Sequence, residues 1–233
     1  MVLHSNYYQG QYQDIMGTGL TGRFWAFIHK SMAHNLISEN DIVLELGAGN
    51  GEFYKNVSPS CKLYLETDIE RRDDRLSLMT TSDLNKSGKL NRRLDAQNLE
   101  GLPDNCVDVV IATCLLMHLS DPALALREWK RVLKVGGKMV IYIPSEPGLA
   151  LRVTRYLTTR RKFKKVGVNQ ADSHWTEHIQ HYPRLLHLLN SIFGQSCHVK
   201  KFPFNFFVWD FNLFAIAHIQ TAPQENPTKM SNL

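Results

Sequence analysis

The sequence predicts an α/β fold built on a parallel sheet with an antiparallel pair at one edge, and three observations carry that prediction. Short apolar runs over 42–46, 62–65, 107–114 and 139–143 alternate with stretches of helical periodicity, the texture of strands covered on both faces. A glycine-rich turn, Gly47-Ala48-Gly49-Asn50-Gly51, follows the first run directly, where a parallel strand has to turn sharply into its crossover helix. Two late runs, 198–204 and 212–219, are separated by a short aromatic connection, which suits an antiparallel pair.

The elements follow in order. Residues 1–20 are rich in Tyr, Gln, Gly and Asn without a clear period, whereas Phe24, Trp25, Phe27, Ile28, Met32, Leu36 and Ile37 recur at helical spacing. This reads as a lead-in followed by an amphipathic covering helix, so 1–40 is expected to be a lid segment and that helix. Between the third and fourth of the early apolar runs, 121–134 carries Leu124, Leu126, Trp129, Val132 and Leu133, begins at an Asp-Pro pair and stops at Gly136-Gly137, the signals of a crossover helix. Periodicity then weakens across a basic segment and returns over 182–193 in a helix closed by Gly194. The main domain is expected to run over 41–220 with an insert at about 145–182, and the polar, proline-containing 221–233 to be a disordered tail.

Composition narrows the class. A chain of 233 residues with 43% hydrophobic and 21% charged residues has an ordinary globular make-up and one large domain's worth of length. The long apolar stretch 202–219 is interrupted by Asn205, Asp210, Asn212 and His218, which argues against a bilayer span. Four cysteines without a C-x-x-C pair or zinc-type His spacing support neither a metal nor a disulfide framework. No leader peptide is readable at the N-terminus, so the expected address is the cytoplasm. The net charge of +5 permits an anionic partner, but its position matters more than its sum.

The glycine turn carries the first chemical reading. Its glycines allow a ligand to approach the backbone closely, and Asp68 lies 21 residues beyond Gly47 at the end of the second strand, the position at which an acid commonly receives ribose hydroxyls. An adenosine-type ligand follows. A dinucleotide fingerprint would need a third glycine where Glu52 stands, and Glu45 adds a second carboxylate beside the turn. Both disfavour a pyrophosphate, whereas a cationic sulfonium with an amino acid tail tolerates nearby carboxylates. The turn therefore suits S-adenosylmethionine better than NAD.

At this point the residues resemble the class I S-adenosylmethionine-dependent methyltransferases, in the small-molecule branch that includes ubiquinone and menaquinone biosynthesis enzymes. Besides the glycine turn, the resemblance rests on Leu94-Asp95-Ala96, on Leu102-Pro103-Asp104-Asn105-Cys106-Val107-Asp108 and on Leu133-Lys134-Val135-Gly136-Gly137. It implies a Rossmann-like seven-stranded sheet of order 3-2-1-4-5-7-6, strand 7 antiparallel, with helices on both faces. It also implies cofactor contacts from Glu45, Gly47, Ala48, Gly49 and Gly51 on the methionine side, Asp68 with Ile69 at the ribose, Asp95 and Ala96 at the adenine, and Cys114 near the sulfonium. Asp95 could equally cap a turn, and Asp108, just before a buried strand, reads as structural.

The implied activity is methyl transfer to a small-molecule acceptor by in-line displacement, as O- or N-methylation of an anionic metabolite or a sugar or lipid precursor. The methyl group arrives already activated, so alignment and exclusion of water are the main requirements. Where a base helps, His118 and His178 are the candidates, each weighed against a packing or capping role. His181 and Tyr182, with Glu177, extend that polar cluster; two His three apart lack a third ligand, so no metal is expected. Tyr7, Tyr8 and Tyr12 could form an aromatic lid, while Phe24 and Trp25 read as anchors of the covering helix. Between Leu151 and Lys165 stand seven basic residues and no acid; Arg152 and Arg155 are candidate contacts to an anionic acceptor. Interleaved apolar residues also allow that segment to rest on an anionic membrane surface. The alternatives are a transfer RNA or other nucleic-acid methyltransferase, for which the Asp/Asn-Pro-Pro-aromatic run is missing at 112–115, and a non-catalytic cofactor-binding module.

Overall fold

The computed structural model describes residues 19–69, 78–165, 178–205 and 208–221. Seven strands form one sheet: β1 (Ile42–Leu46), β2 (Leu63–Asp68), β3 (Gly88–Arg93), β4 (Val107–Thr113), β5 (Leu133–Pro144), β6 (Cys197–Phe202) and β7 (Phe214–Gln220). Their order is β3-β2-β1-β4-β5-β7-β6. The first five run parallel, while β7 lies antiparallel between β5 and β6. The α-helices among the described residues are α1 (Gly19–Ala33), α2 (Glu52–Val57), α3 (Pro122–Val132), α4 (Leu149–Thr158), α5 (Arg160–Lys165) and α6 (Tyr182–Phe193). This is the Rossmann-like methyltransferase architecture that the resemblance implies.

Successive strand residues point to opposite faces, and the core divides accordingly. Leu44, Leu46, Val110, Ala112 and Ile141 pack under α3 and α6 with Trp129, Leu126, Leu185 and Leu189. Val43, Tyr64, Ile111, Val140 and Tyr142 pack on the other face with Ile28 and Met32 of α1 and Phe53 of α2. Trp25 meets the Tyr142 ring at 5.2 Å and Phe24 meets Phe214 at 5.8 Å, which fixes α1 across the sheet in the anchoring role expected of those rings.

Several boundaries differ from the sequence reading. The fourth strand stops at Thr113 because Cys114 takes the left-handed conformation, φ 56°. The crossover helix ends at Val132, and β5 starts at Leu133 rather than at 139. Gly136-Gly137 is a bulge inside that strand, where pairing with β4 slips between Val107 and Val109. The basic segment read as weakly periodic forms two helices, α4 and α5. Asp108 is structural as expected: its Oδ2 accepts from Ile42 N at the start of β1, and Lys134 Nζ lies 2.8 Å from both oxygens. The tyrosines of the expected lid, Glu177 and the expected disordered tail from 222 onward lie outside the described residues.

Candidate active site

The carboxyl ends of β1 to β5 share one edge of the sheet, and the candidate site is built there in two halves. In the first, Gly47, Gly49 and Gly51 all have positive φ, between 53° and 73°. A side chain at Gly47 would meet Leu115, and one at Gly51 would meet the Glu66 carboxylate, so the turn is a bare backbone cradle by steric necessity. Ala48 N donates to Thr67 O at 2.9 Å, and Gly49 N donates to Asp68 Oδ2 at 2.8 Å. The turn is thereby tied to the end of β2.

Asp68 pairs in register with Arg93, and Leu94 N donates to Asp68 O. The ribose candidate Asp68 and the adenine candidate Asp95 thus stand on neighbouring strand ends. Asp95 Oδ1 accepts from Gln97 N at 2.9 Å, closing an Asx turn. The bland capping role is therefore real, and it leaves Oδ2 for another donor. Ala96 is buried, and its carbonyl accepts from Trp129 Nε1 at 2.8 Å, which fastens this loop to α3. Ile69 is exposed beside Asp68. Glu45 is buried beneath the turn, where its Oε2 accepts from Tyr64 Oη at 2.7 Å.

The second half stands beyond Cys114. Leu115, which covers Gly47, continues into the turn Leu116–His118. The His118 ring meets the His178 ring edge to face, centroids 4.7 Å apart. His178 Nδ1 bonds Glu146 Oε2, and Arg155 pairs with the other carboxylate oxygen. Glu146 stands two residues past the end of β5 and is buried; its carbonyl accepts from Tyr182 N at 2.9 Å. Tyr182 is also buried, and its hydroxyl has no hydrogen-bond partner among the described residues. Burial raises the Tyr182 phenol and, more strongly, the Cys114 thiol, the latter with help from the Glu146 charge. A thiol raised in this way is disfavoured as a nucleophile.

The structure joins His118, His178 and Arg155 around Glu146, whose carbonyl also accepts from Tyr182 N, while Arg152 is exposed on α4 and His181 is exposed at the start of α6. No cluster of metal-ligating side chains occurs among the described residues. Two acids escaped the sequence reading. Glu146 lies two residues past the fifth strand, and nothing in the local sequence marks its pairing with His178, 32 residues away. Glu66 lies just past the apolar run 62–65, in the part of β2 that the run did not reach.

The residues fit S-adenosylmethionine. The cradle admits close backbone approach, the Asp68 and Asp95 carboxylates stand at the ends of neighbouring strands, and Glu52 stands where a diphosphate site would need glycine.

Comparison with known proteins agrees. Residues 44–141 match a family model described as a methyltransferase domain. The chain is 31% identical over 108 residues to the thiol S-methyltransferase TMT1B of Rattus norvegicus, covering 43% of this chain and 41% of the relative. It is 32% identical over 108 residues to an uncharacterized methyltransferase of Schizosaccharomyces pombe, covering 43% and 39%. The chain thus spans about two fifths of the length of these relatives. A SAM-dependent methyltransferase structure from Archaeoglobus fulgidus superposes with a TM-score of 0.57 at 15% identity, covering 90% of this chain and 98% of that one. The CurJ carbon methyltransferase does so with a TM-score of 0.57 at 16% identity, covering 90% and 57%. At such identities the likeness is one of fold.

Proposed function

We propose, for a chain whose residues 44–141 match a methyltransferase domain, that the whole protein uses S-adenosylmethionine to methylate a small-molecule acceptor which must lose a proton, a hydroxyl or a thiol, and that His178 takes that proton. The observation that carries the proposal is the pairing of His178 Nδ1 with the buried Glu146 carboxylate. Bonding at Nδ1 puts the ring proton there and the lone pair on Nε2, so Glu146 sets both the tautomer and the ring orientation. Arg155 holds the second Glu146 oxygen and keeps the carboxylate aimed at the ring.

The cofactor supplies an activated methyl group on a positive sulfur when bound. The chain's residues do the rest. Gly47, Ala48, Gly49 and Gly51, with Glu45 beneath them, form the methionine side; Asp68 and Ile69 flank the ribose; Asp95 and Ala96 receive the adenine; Cys114 and Leu115 wall the reacting end. His178 Nε2 accepts the acceptor's proton, and His118, edge-on to that ring, confines the acceptor. A general base in this position supplies about 10²- to 10⁴-fold in rate. The thiol specificity of the Rattus norvegicus relative fits an acceptor of this kind. The four free cysteines fit a cytoplasmic address.

An acceptor panel of aliphatic thiols, phenols, sugar hydroxyls, amines and transfer RNA, scored by release of S-adenosylhomocysteine, tests the proposal. Turnover is expected with thiols or hydroxyls. Turnover with transfer RNA alone, or with none of the panel despite cofactor binding, would overturn it.

A further inference from the structure

α4 (Leu149–Thr158) is unusual among the helices of the sheet layers because none of its residues is buried. Leu149 (50% exposed), Val153 (48%), Tyr156 (60%) and Leu157 (71%) nevertheless present large apolar groups to solvent. At helical spacing they occupy one stripe with Arg152, and Leu149, Arg152, Val153 and Tyr156 line a shallow groove of about 320 Å³. The neighbouring Trp209–Phe211 turn, whose Asp210 Oδ1 accepts from Leu149 N at 2.8 Å, adds Phe211, itself half exposed.

The charge around this stripe has one sign. Arg160 stacks over the Tyr156 ring at 4.7 Å, Arg152 and Lys164 are exposed, and no acid occurs between Glu146 and Asp172. Asp210 is already engaged at the start of the helix. Arg155, in the same helix, points away from the stripe and pairs with Glu146.

We infer that the outer face of α4, with α5, docks the protein onto an anionic membrane surface. The apolar stripe enters the acyl boundary while Arg152, Arg160 and Lys164 meet lipid phosphates, the arrangement by which an amphipathic helix lies in an interface. A purely solvated basic helix has no use for four large apolar groups on the same side as its charges. A consequence rests on the reading of the Glu146 cluster as the acceptor site: because Arg155 joins that cluster from the same helix, docking brings the acceptor pocket beside the lipid surface and favours amphiphilic acceptors. The docking itself does not depend on that reading.

The test is flotation with phosphatidylcholine vesicles, with and without phosphatidylserine, on the full chain and on Val153→Asp with Leu157→Asp and Arg160→Gln with Lys164→Gln. The unaltered chain is expected to float only with the phosphatidylserine vesicles and to be released by high salt. The apolar pair should cut binding by at least about tenfold, and each neutralised charge by roughly fivefold. Both variants should keep the unaltered melting temperature and its rise with S-adenosylhomocysteine, which separates failure of docking from failure of the methyltransferase reading. Three results would overturn the inference: no flotation of the unaltered chain; flotation unaffected by either variant; or a large fall in melting temperature for the apolar pair, showing that the stripe is covered by the protein itself.

Discussion

Gly51 lies so close over Glu66 that a methyl group on its Cα would come within 2.6 Å of Glu66 Oε1. The carboxylate cannot withdraw easily, since it is buried and paired with Lys89. Gly51 also has φ 73°, which strains any other residue. Gly51→Ala is therefore expected to lower stability by about 1–3 kcal/mol and to weaken cofactor binding, as read by denaturant unfolding and calorimetry. Unchanged values would mean that the turn is looser than described.

The Glu146–His178 pair leads to a kinetic prediction. His178→Gln should lower kcat by about 10²- to 10⁴-fold while S-adenosylhomocysteine affinity stays the same. Glu146→Gln removes the charge that orients the ring and should lower kcat in the same direction. If either variant changes only cofactor affinity, the pair belongs to the wrong half of the site.

Tyr182 offers a test in which stability and activity move apart. Its buried hydroxyl has no partner among the described residues, so Tyr182→Phe should leave stability unchanged or raise it by about 1 kcal/mol. If the acceptor supplies the missing bond, KM should rise severalfold with kcat nearly constant. A loss of stability would show that the hydroxyl is bonded within the fold.

His29 of α1 ties stability to pH. It is buried among Trp25 and Phe53, and Asn56 Nδ2 donates to its Nδ1 at 2.9 Å, so burial lowers its pKa to about 4. Between about 4 and the ordinary 6.5 the unfolded chain holds the proton and the folded one does not. Stability therefore falls as pH falls through that window, by up to the order of 3 kcal/mol, and changes no further from this group below it. His29→Phe should flatten that slope in unfolding curves taken across the window. A slope identical to the unaltered chain's would assign the effect elsewhere.

The sheet was legible in the sequence because its strands are short, apolar and bounded by turns. β1 and α6 match their expected limits, since Ile42–Leu46 is buried throughout and Tyr182–Phe193 carries an undiluted helical period closed by Gly194. The apolar residues Leu149, Val153, Tyr156 and Leu157 of α4 do recur at helical spacing, but the run of basic residues over 152–165 dominates the local pattern, and α5 offers only Phe163 as an apolar mark. Gly136-Gly137 read as a stop because a glycine pair is the ordinary signal of one, whereas here it bends a continuing strand. The glycine turn, Asp68 and Asp95 stood out because backbone geometry dictates residue type there. Glu146 did not, because its role depends on His178, 32 residues away, and no local pattern joins them.

The central claim is that the glycine turn with Asp68 and Asp95 receives a sulfonium nucleoside and has no seat for a diphosphate. Titration calorimetry of the full chain with S-adenosylhomocysteine and with NAD, repeated on Asp68→Ala, tests it most directly. The expected result is saturable binding of S-adenosylhomocysteine alone, worth ~2.7 kcal/mol of added stability at a hundredfold excess over Kd, and weakened at least about tenfold in Asp68→Ala. Tighter binding of NAD, or no binding of S-adenosylhomocysteine to a folded chain, would contradict it.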